Sequence, residues 1–363
     1  MSFVYYGVLF AVIFWGYIAE NNPKYIIKKN GKHEIKPDTV SVIVLSLVLI
    51  LVAGFRYRVG ADYLSYYHWR SSGWEQVWNS ITKFKEPGFV LLAYLSKTLV
   101  GHGQGLIFIT ASITIGLYCW IIYKYHRMYL VSILIYLFLG LWQGSFNGVR
   151  QYLASAILFS GHRYILEKKL WKYSLVVFTA SLFHVTALIM IIPFFILNRE
   201  ADLQQIIIMT IGSIILRFSY DKVFLVIETL KGEELNMNSV YMNREISIFR
   251  VLVAFIPVLL YIVFCRKKNQ TEEENFYINS LFFNAFTTLA GMGSSYFGRF
   301  GIYTNAMVTI GYGHLFLLID DENSRKLTSC ITMTILLLYW LYSLLGAGKY
   351  ISNYQWIFSH LNE

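Results

Sequence analysis

Long apolar runs recur along the whole chain, and only short polar stretches separate them. A helix needs roughly 20 apolar residues to cross a bilayer, and most of the runs approach that length. They lie at about 3–19, 39–55, 87–100, 105–123, 129–145, 148–165, 173–198, 203–221, 246–265, 276–297, 300–319 and 327–346. This pattern predicts an all-α, polytopic integral membrane bundle of about 10–12 transmembrane helices, with 1–363 forming a single transmembrane domain.

The composition of the chain agrees with the pattern. Its 363 residues are 56% hydrophobic and 14% charged, whereas a soluble domain carries about 25% charged residues. The net charge of +10 is spread over the loops, which indicates membrane topology and contact with anionic lipid headgroups rather than with nucleic acid. The three cysteines fit no metal-ligand spacing, and we expect neither a metal nor a cofactor.

The basic residues of the loops predict which side each loop occupies, because lysine and arginine remain in the cytoplasm. The lysines within 24–36 place the first loop inside and the N-terminus outside. All basic clusters can lie inside only if two runs, 87–100 and 173–198, fail to cross. We expect the first to be a partial insertion at the outer interface. The second should be a hairpin that breaks near Phe183-His184, or else the positive-inside rule fails once there.

This topology brings the polar residues that are hardest to explain as topology signals to the outer face. They are Arg56, Arg58, Asp62, Glu86, Asn147, Arg150, Gln151, His184, Arg299 and Tyr303. Positive residues are unusual on that side, so the arginines indicate an anionic ligand there. We expect the outer loops 56–86 and 222–245 to contribute to the substrate site.

Two of the arginines open helices at their outer ends. Asn147 suits the N-cap of one helix, and Arg150 then lies in its first turn, where the helix dipole disfavours a cation by up to about 1 kcal/mol. A bound phosphate would reverse that penalty. The alternative is an ion pair with a nearby acid such as Glu86. Arg299 poses the same question in an aromatic, glycine-rich context typical of an ordinary membrane interface.

The remaining candidates have two interpretations each. Arg56 and Arg58 follow a helix C-terminus, where cations are favoured, and with Asp62 they form either an internal ion pair or a phosphate site with an acid. Glu86 is either a general base or a helix-entry residue. His184 is either a core histidine or a catalytic group at a helix break.

Four ordered stretches and one later one resemble the EpsG family of exopolysaccharide proteins, part of the wider Wzy-like polysaccharide polymerases. They are Phe55-Arg56-Tyr57-Arg58-Val59-Gly60-Ala61-Asp62-Tyr63, Glu86-Pro87-Gly88-Phe89, Phe146-Asn147-Gly148-Val149-Arg150-Gln151-Tyr152-Leu153-Ala154, Ser181-Leu182-Phe183-His184, and Gly298-Arg299-Phe300 with Tyr303. The resemblance covers roughly residues 50–310. Such families often have proline after the histidine, where this chain has Val185.

The resemblance implies a membrane-embedded glycosyltransferase that polymerises undecaprenyl-pyrophosphate-linked oligosaccharide repeat units, without a metal, on the outer side of the bacterial cytoplasmic membrane. On this hypothesis, the pyrophosphate is held by Arg58, Arg150 and Arg299, with Arg56 assisting. The base is Asp62, Glu86 or His184, and the substrate is oriented by Asn147, Gln151 and Tyr303. The implied partners are the lipid-linked oligosaccharide, membrane lipids and, by analogy, a chain-length regulator.

Three other functions remain open from the sequence. A transporter or flippase of lipid-linked oligosaccharides needs similar arginines, but it should also show internal repeats and a polar path to the cytoplasm. A membrane acyltransferase that modifies the glycan needs a cytoplasmic route for its acyl donor. The third is a structural partner in an assembly complex.

Overall fold

A computed structural model describes residues 2–27, 33–69, 73–219, 246–346, 351 and 353–360, together with 222, 225 and 229. Most of the predicted outer loop 222–245 lies outside these residues, as do 70–72 in the predicted outer loop 56–86. The chain divides into two compact units. Unit 1 comprises 1–156 and 336–363, and unit 2 comprises 157–335.

Unit 1 is a bundle of helices joined by short connections. Its helices are α1 (Phe3–Asn21), α2 (Thr39–Gly54), α3 (Tyr63–Tyr67), α4 (Trp74–Thr82), α5 (Pro87–Val100), α6 (Gly103–Tyr125), α7 (Tyr129–Phe138), α8 (Leu141–Gly144) and α9 (Val149–Ser160), the last of which continues into unit 2. Helix α6 is the centre of the unit, because α2, α3, α5 and α7 all pack against it.

Unit 2 is a second helical bundle. Its elements are α10 (Arg163–Leu166), α11 (Leu170–Ser181), a 3₁₀ helix (Val185–Ile191), α12 (Pro193–Ile196), α13 (Leu203–Phe218), α14 (Ile248–Leu260) with a π-helical turn (Tyr261–Cys265), α15 (Glu272–Ala290), a 3₁₀ turn (Gly291–Gly293), α16 (Ser295–Gly298), α17 (Gly301–Leu317) and α18 (Glu322–Gly346), which runs on into unit 1. Helix α15 contacts α13, α14 and α17 and is the centre of this bundle.

The all-α membrane fold predicted from the sequence is confirmed. Four described segments are long and apolar enough to cross a membrane, namely α1, α6, Ile248–Cys265 and α18. Five shorter apolar segments accompany them: Thr39–Gly54, Pro87–Val100, Tyr129–Phe138, Val185–Ile196 and Leu203–Phe218. Helix α13 turns Ile207, Ile211, Ile214 and Ile215 outward, as a lipid-facing helix does.

The helix break expected near Phe183-His184 is present. Helix α11 ends at Ser181, and His184 adopts an extended backbone conformation before the 3₁₀ helix begins. The Tyr173 hydroxyl, near the start of α11, donates to the carbonyl oxygen of Met190, near the end of the 3₁₀ helix, at 2.6 Å. The two segments therefore pack antiparallel as a hairpin within unit 2.

The first loop contains a feature that the run pattern did not predict. Strands β1 (Lys24–Ile27) and β2 (His33–Lys36) pair antiparallel. Lys24 lies 3.0 Å from Asp38, whose side chain accepts from the Ser41 amide to cap α2. The basic hairpin thus forms one end of unit 1, and the residues after Gly54 form the other.

Candidate functional site

Backbone and side-chain hydrogen bonds fix the loop that follows α2. Gln104, from the first turn of α6, donates to the carbonyl oxygens of Gly54 at 2.5 Å and Arg56 at 3.1 Å. The Tyr63 hydroxyl donates to the side-chain oxygen of Gln104 at 2.8 Å. One buried glutamine therefore holds both ends of the arginine loop (55–62), and sequence reasoning did not single it out.

The chain's C-terminal segment also pairs with the arginine loop. The amide of Tyr57 donates to the carbonyl of Gln355, and the amide of Ile357 donates to the carbonyl of Phe55, each at 2.9 Å. The ring of His360 stacks on Tyr57 with centroids 4.2 Å apart. The C-terminal part is thus structurally tied to the candidate site, which the sequence gave no reason to expect.

Arg56 and Arg58, two residues apart, have opposite environments. Arg56 is 1% exposed, and its guanidinium donates to the carbonyl oxygens of Ala53, Val59 and Phe146. Burial lowers the pKa of Arg56 to about 10, which leaves it charged at neutral pH. Because backbone carbonyls occupy its donors, the geometry gives no support to the predicted pyrophosphate contact of Arg56.

Arg58 is exposed and is therefore accessible to a ligand. Its guanidinium carbon lies 5.2 Å from the centroid of the Tyr57 ring, and within the described part of the chain it forms no ion pair. Its φ is 50°, a left-handed conformation that costs a non-glycine residue about 1–2 kcal/mol. Glu86, with a φ of 49°, shares this strain. Strained backbone concentrates at functional sites.

Asn147 joins the arginine loop to the start of α9. Its side-chain oxygen accepts from the Ala61 amide at 2.6 Å. A Cβ on Gly60 would lie 2.5 Å from the carbonyl oxygen of Phe146 and 3.0 Å from Asn147 Oδ1. Glycine also tolerates the φ of +105° found there. The Asn147 side chain, predicted to be an N-cap, therefore links the arginine loop to the start of α9 by a hydrogen bond (the Asn147 tie). Its amide nitrogen has no partner among the described residues.

We expect Asn147→Ala to loosen this tie and Asn147→Asp to preserve it, because aspartate keeps the acceptor oxygen. The lost hydrogen bond is worth about 1 kcal/mol. Hydrogen exchange at the Ala61 amide measures the effect, and it should speed up several-fold in the alanine variant only. Equal exchange in both variants would show that the tie does not hold the loop.

Arg150 and Glu86 form an ion pair, which is the alternative that the sequence left open. The Arg150 side chain is 36% exposed and that of Glu86 is 13% exposed. Arg150 also donates to the Tyr66 hydroxyl and lies over the ring of Trp69, 5.6 Å from its centroid. Burial raises the pKa of Tyr66.

One donor of Arg150 stays unused despite these contacts. Its Nε is shielded from solvent and has no hydrogen-bond partner among the described residues. A buried donor without an acceptor costs about 1–3 kcal/mol. Arg150 is therefore held in place with its hydrogen-bonding capacity incomplete, and its side chain as a whole is 36% exposed, so that a ligand can contact the guanidinium.

The two remaining predicted site residues of unit 1 are Asp62, which ends the arginine loop, and Gln151, which follows Arg150. Asp62 precedes the first turn of α3 and makes no capping hydrogen bond with its side chain. Its charge acts on Tyr66, the residue that contacts Arg150. Gln151 is buried. Unit 1 thus brings together seven of the ten predicted site residues: Arg56, Arg58, Asp62, Glu86, Asn147, Arg150 and Gln151.

The three other predicted residues, His184, Arg299 and Tyr303, belong to unit 2. The Tyr303 hydroxyl lies 2.8 Å from that of Thr186, two residues after His184. Tyr303 is 2% exposed, so its described contact is internal, and its predicted role in orienting substrate gains no support. Arg299 is exposed, in the short turn between α16 and α17.

Sequence reasoning missed Arg250, which contacts that turn. Its Nη2 donates to the Gly298 carbonyl oxygen at 2.7 Å. Arg250 occupies the first turn of α14, the position relative to a helix that singled out Arg150. The same criterion identifies it once the start of α14 is known.

The sequence model of one known protein family, the EpsG family, matches residues 39–356, which is most of the chain. The chain belongs to the EpsG family. The resemblance of the short stretches, which covered roughly 50–310, is confirmed and extended to the C-terminal segment that pairs with the arginine loop. No curated protein and no solved structure matches the chain.

Membership of the EpsG family, together with the apolar helices, shows a membrane protein with a role in polysaccharide biosynthesis like that of a polymerase.

Proposed function

We propose that this EpsG-family protein polymerises oligosaccharide repeat units carried on undecaprenyl pyrophosphate, at the outer face of the bacterial cytoplasmic membrane. The observation that carries the proposal is Arg150, a partly exposed arginine that Glu86 and Tyr66 hold in place and whose Nε has no acceptor among the described residues. The exposed Arg58 lies in the loop tied to the start of the same helix. Two guanidiniums on neighbouring segments suit a diphosphate.

The reaction is a glycosyl transfer between two lipid-linked chains. A hydroxyl oxygen of the acceptor sugar bonds to the anomeric carbon of the donor, and the bond from that carbon to the pyrophosphate oxygen breaks. Undecaprenyl pyrophosphate leaves with the bonding electrons, and the hydroxyl proton passes to a base. Arg58 and Arg150 stabilise the charge that develops on the departing diphosphate.

Of the two candidate bases in unit 1, Asp62 has the more suitable environment. Glu86 is committed to Arg150, whereas Asp62 is half-buried and makes no hydrogen bond with its side chain at the start of α3. A general base must reach the proton that it removes. We assign this role to Asp62 and a positioning role to Glu86. The role predicted for His184 in unit 2 stays a prediction.

The test is the glycan profile of a strain that lacks this gene, complemented with the wild type, Arg58→Gln or Arg266→Gln. Arg266 is also exposed and follows the π turn in a predicted cytoplasmic loop, so it serves as the matched control. We expect a collapse to single repeat units outside the membrane in the deletion strain and with Arg58→Gln, and a full ladder with Arg266→Gln.

Two other profiles would contradict the proposal. Repeat units trapped on the cytoplasmic leaflet of the deletion strain would identify a flippase. A full-length glycan that lacks only a substituent would identify an acyltransferase.

A further inference from the structure

The turn between α16 and α17 is shaped to receive an arginine from another helix. A Cβ on Gly301 would overlap Nη2 of Arg250, and one on Gly298 would lie 3.7 Å from Nη1. The absence of a side chain at Gly301 therefore leaves the space that the Arg250 guanidinium occupies (the seat). A side chain at 301 would displace the guanidinium, whereas a Cβ at 298 is excluded by Ile246, whose Cγ2 would lie 2.6 Å away.

A second hydrogen-bond donor, the side-chain amide of Asn305, lies beside the space that the Arg250 guanidinium occupies. Nδ2 of Asn305 lies 4.0 Å from the position that a Gly301 Cβ would take. The orientation of this amide is set by Asn284, whose Nδ2 donates to Asn305 Oδ1 at 2.7 Å. Asn305 Nδ2 has no partner within the described residues. Beside the guanidinium lies an amide N–H₂ that also requires an acceptor.

The turn carries positive charge that the described residues do not compensate at Arg250. Arg250 is half-buried, and among the described ranges it enters no ion pair. Its hydrogen bond to the Gly298 carbonyl oxygen uses a single N–H of the five that a guanidinium carries. Arg299 adds a second guanidinium to the same turn. A half-buried cation is costly without an anion or further acceptors.

We propose that Arg250, Arg299 and Asn305 form an anion site in unit 2 that binds the phosphate groups of a phosphorylated lipid. Arg250 Nη2 and Asn305 Nδ2 both lie close to Gly301, Arg299 is two residues before it, and arginine binds phosphate oxygens with two parallel hydrogen bonds. The lipid is the pyrophosphate carrier if the proposed function holds, on which this assignment of source rests. The headgroup of an anionic phospholipid carries the same chemistry.

The experiment measures lipid binding to the full-length protein in phosphatidylcholine nanodiscs. The probes are undecaprenyl pyrophosphate and phosphatidylglycerol, added separately and detected by native mass spectrometry. The variants are Arg250→Gln, Gly301→Ala and their combination. Gly212→Ala is the matched control, because Gly212 is also helical and a Cβ there meets nothing within 4 Å.

We expect Arg250→Gln and Gly301→Ala each to weaken binding of at least one probe by about tenfold or more, as loss of charged hydrogen bonds does. The double variant should lose no more than either single variant, since both changes remove the same guanidinium from the same seat. Gly212→Ala should bind like the wild type. The probe that is affected identifies the source of the phosphate.

Unchanged binding of both probes in a folded Arg250→Gln protein would overturn the site. So would fully additive losses in the double variant, because they would separate the glycine seat from the arginine. Melting temperatures, recorded in parallel, distinguish a loss of fold from a loss of binding.

The binding experiment and the glycan profile can each refute one proposal without refuting the other. Arg250-dependent binding with a normal ladder in the deletion strain would retain the site and refute the polymerase. A collapsed ladder with unchanged binding would do the reverse.

Discussion

The Arg150→Gln variant should lose glycan polymerisation by roughly 100-fold or more, the effect of removing one donor to a developing oxyanion. Glutamine keeps a polar side chain but removes the positive charge and the fork of N–H groups. The measurement is the rate of chain extension by purified protein supplied with a lipid-linked repeat unit. Substrate binding should weaken less than the rate if Arg150 acts mainly on the departing diphosphate.

The ion pair with Glu86 complicates this prediction and also supplies its control. Removing Arg150 alone strands a carboxylate whose side chain is 13% exposed, and a stranded buried charge destabilises a protein. The double variant Glu86→Gln with Arg150→Gln relieves that charge. It should fold like the wild type and remain as inactive as Arg150→Gln alone.

The exchange variant, Glu86→Arg with Arg150→Glu, separates the two possible roles of the pair. If the pair only fastens α5 to α9, the exchanged pair restores both fold and activity. If Arg150 binds the diphosphate, folded protein returns and activity does not. Restored activity in the exchange variant would therefore refute the role given to Arg150.

Glu86→Gln alone tests which carboxylate is the base. With Asp62 as base, this variant should keep activity within about tenfold of the wild type, while Asp62→Asn loses the 10²–10⁴-fold that general-base catalysis contributes. The opposite order would assign the base to Glu86.

The sequence predicts the arginine loop but cannot separate Arg56 from Arg58. Both follow the same helix and both adjoin Tyr57. Their difference in exposure depends on residues far along the chain, since Phe146 supplies a carbonyl acceptor to Arg56 and Gln355 pairs with Tyr57. Contacts between residues so far apart in the sequence produce no local hydrophobic periodicity from which they could be predicted.

The sequence predicted structural features that depend on residues close together along the chain. The break near His184 was one of two outcomes predicted from the basic residues at both ends of 173–198, the other being a failure of the positive-inside rule. The Glu86–Arg150 pair was only an alternative to an anion site in the sequence, because the two residues are 64 positions apart and no local pattern connects them. Arg250 was missed because it lies inside the apolar run 246–265, so the sequence does not show that a helix begins just before it, at Ile248.

Replacement of Arg56 by leucine should remove most of the folded protein rather than change catalysis. The carbonyl oxygens of Ala53, Val59 and Phe146 all accept from this guanidinium. Each buried acceptor left without a partner costs about 1–3 kcal/mol. We therefore expect a loss of about 3–5 kcal/mol in the free energy of unfolding, comparable to breaking a buried ionic network.

The measurement is the yield of monodisperse protein in detergent and its melting temperature, with Arg58→Leu as the matched control. Arg58 is exposed and its guanidinium lies near the Tyr57 ring, so its replacement should leave the melting temperature nearly unchanged while polymerisation falls. Arg56→Lys should lie between, because an ammonium keeps the charge but cannot span acceptors on three segments. A stable, well-folded Arg56→Leu protein that lacks activity would instead return Arg56 to the pyrophosphate site. The two arginines would then act on substrate together, against the division of roles that their burial indicates.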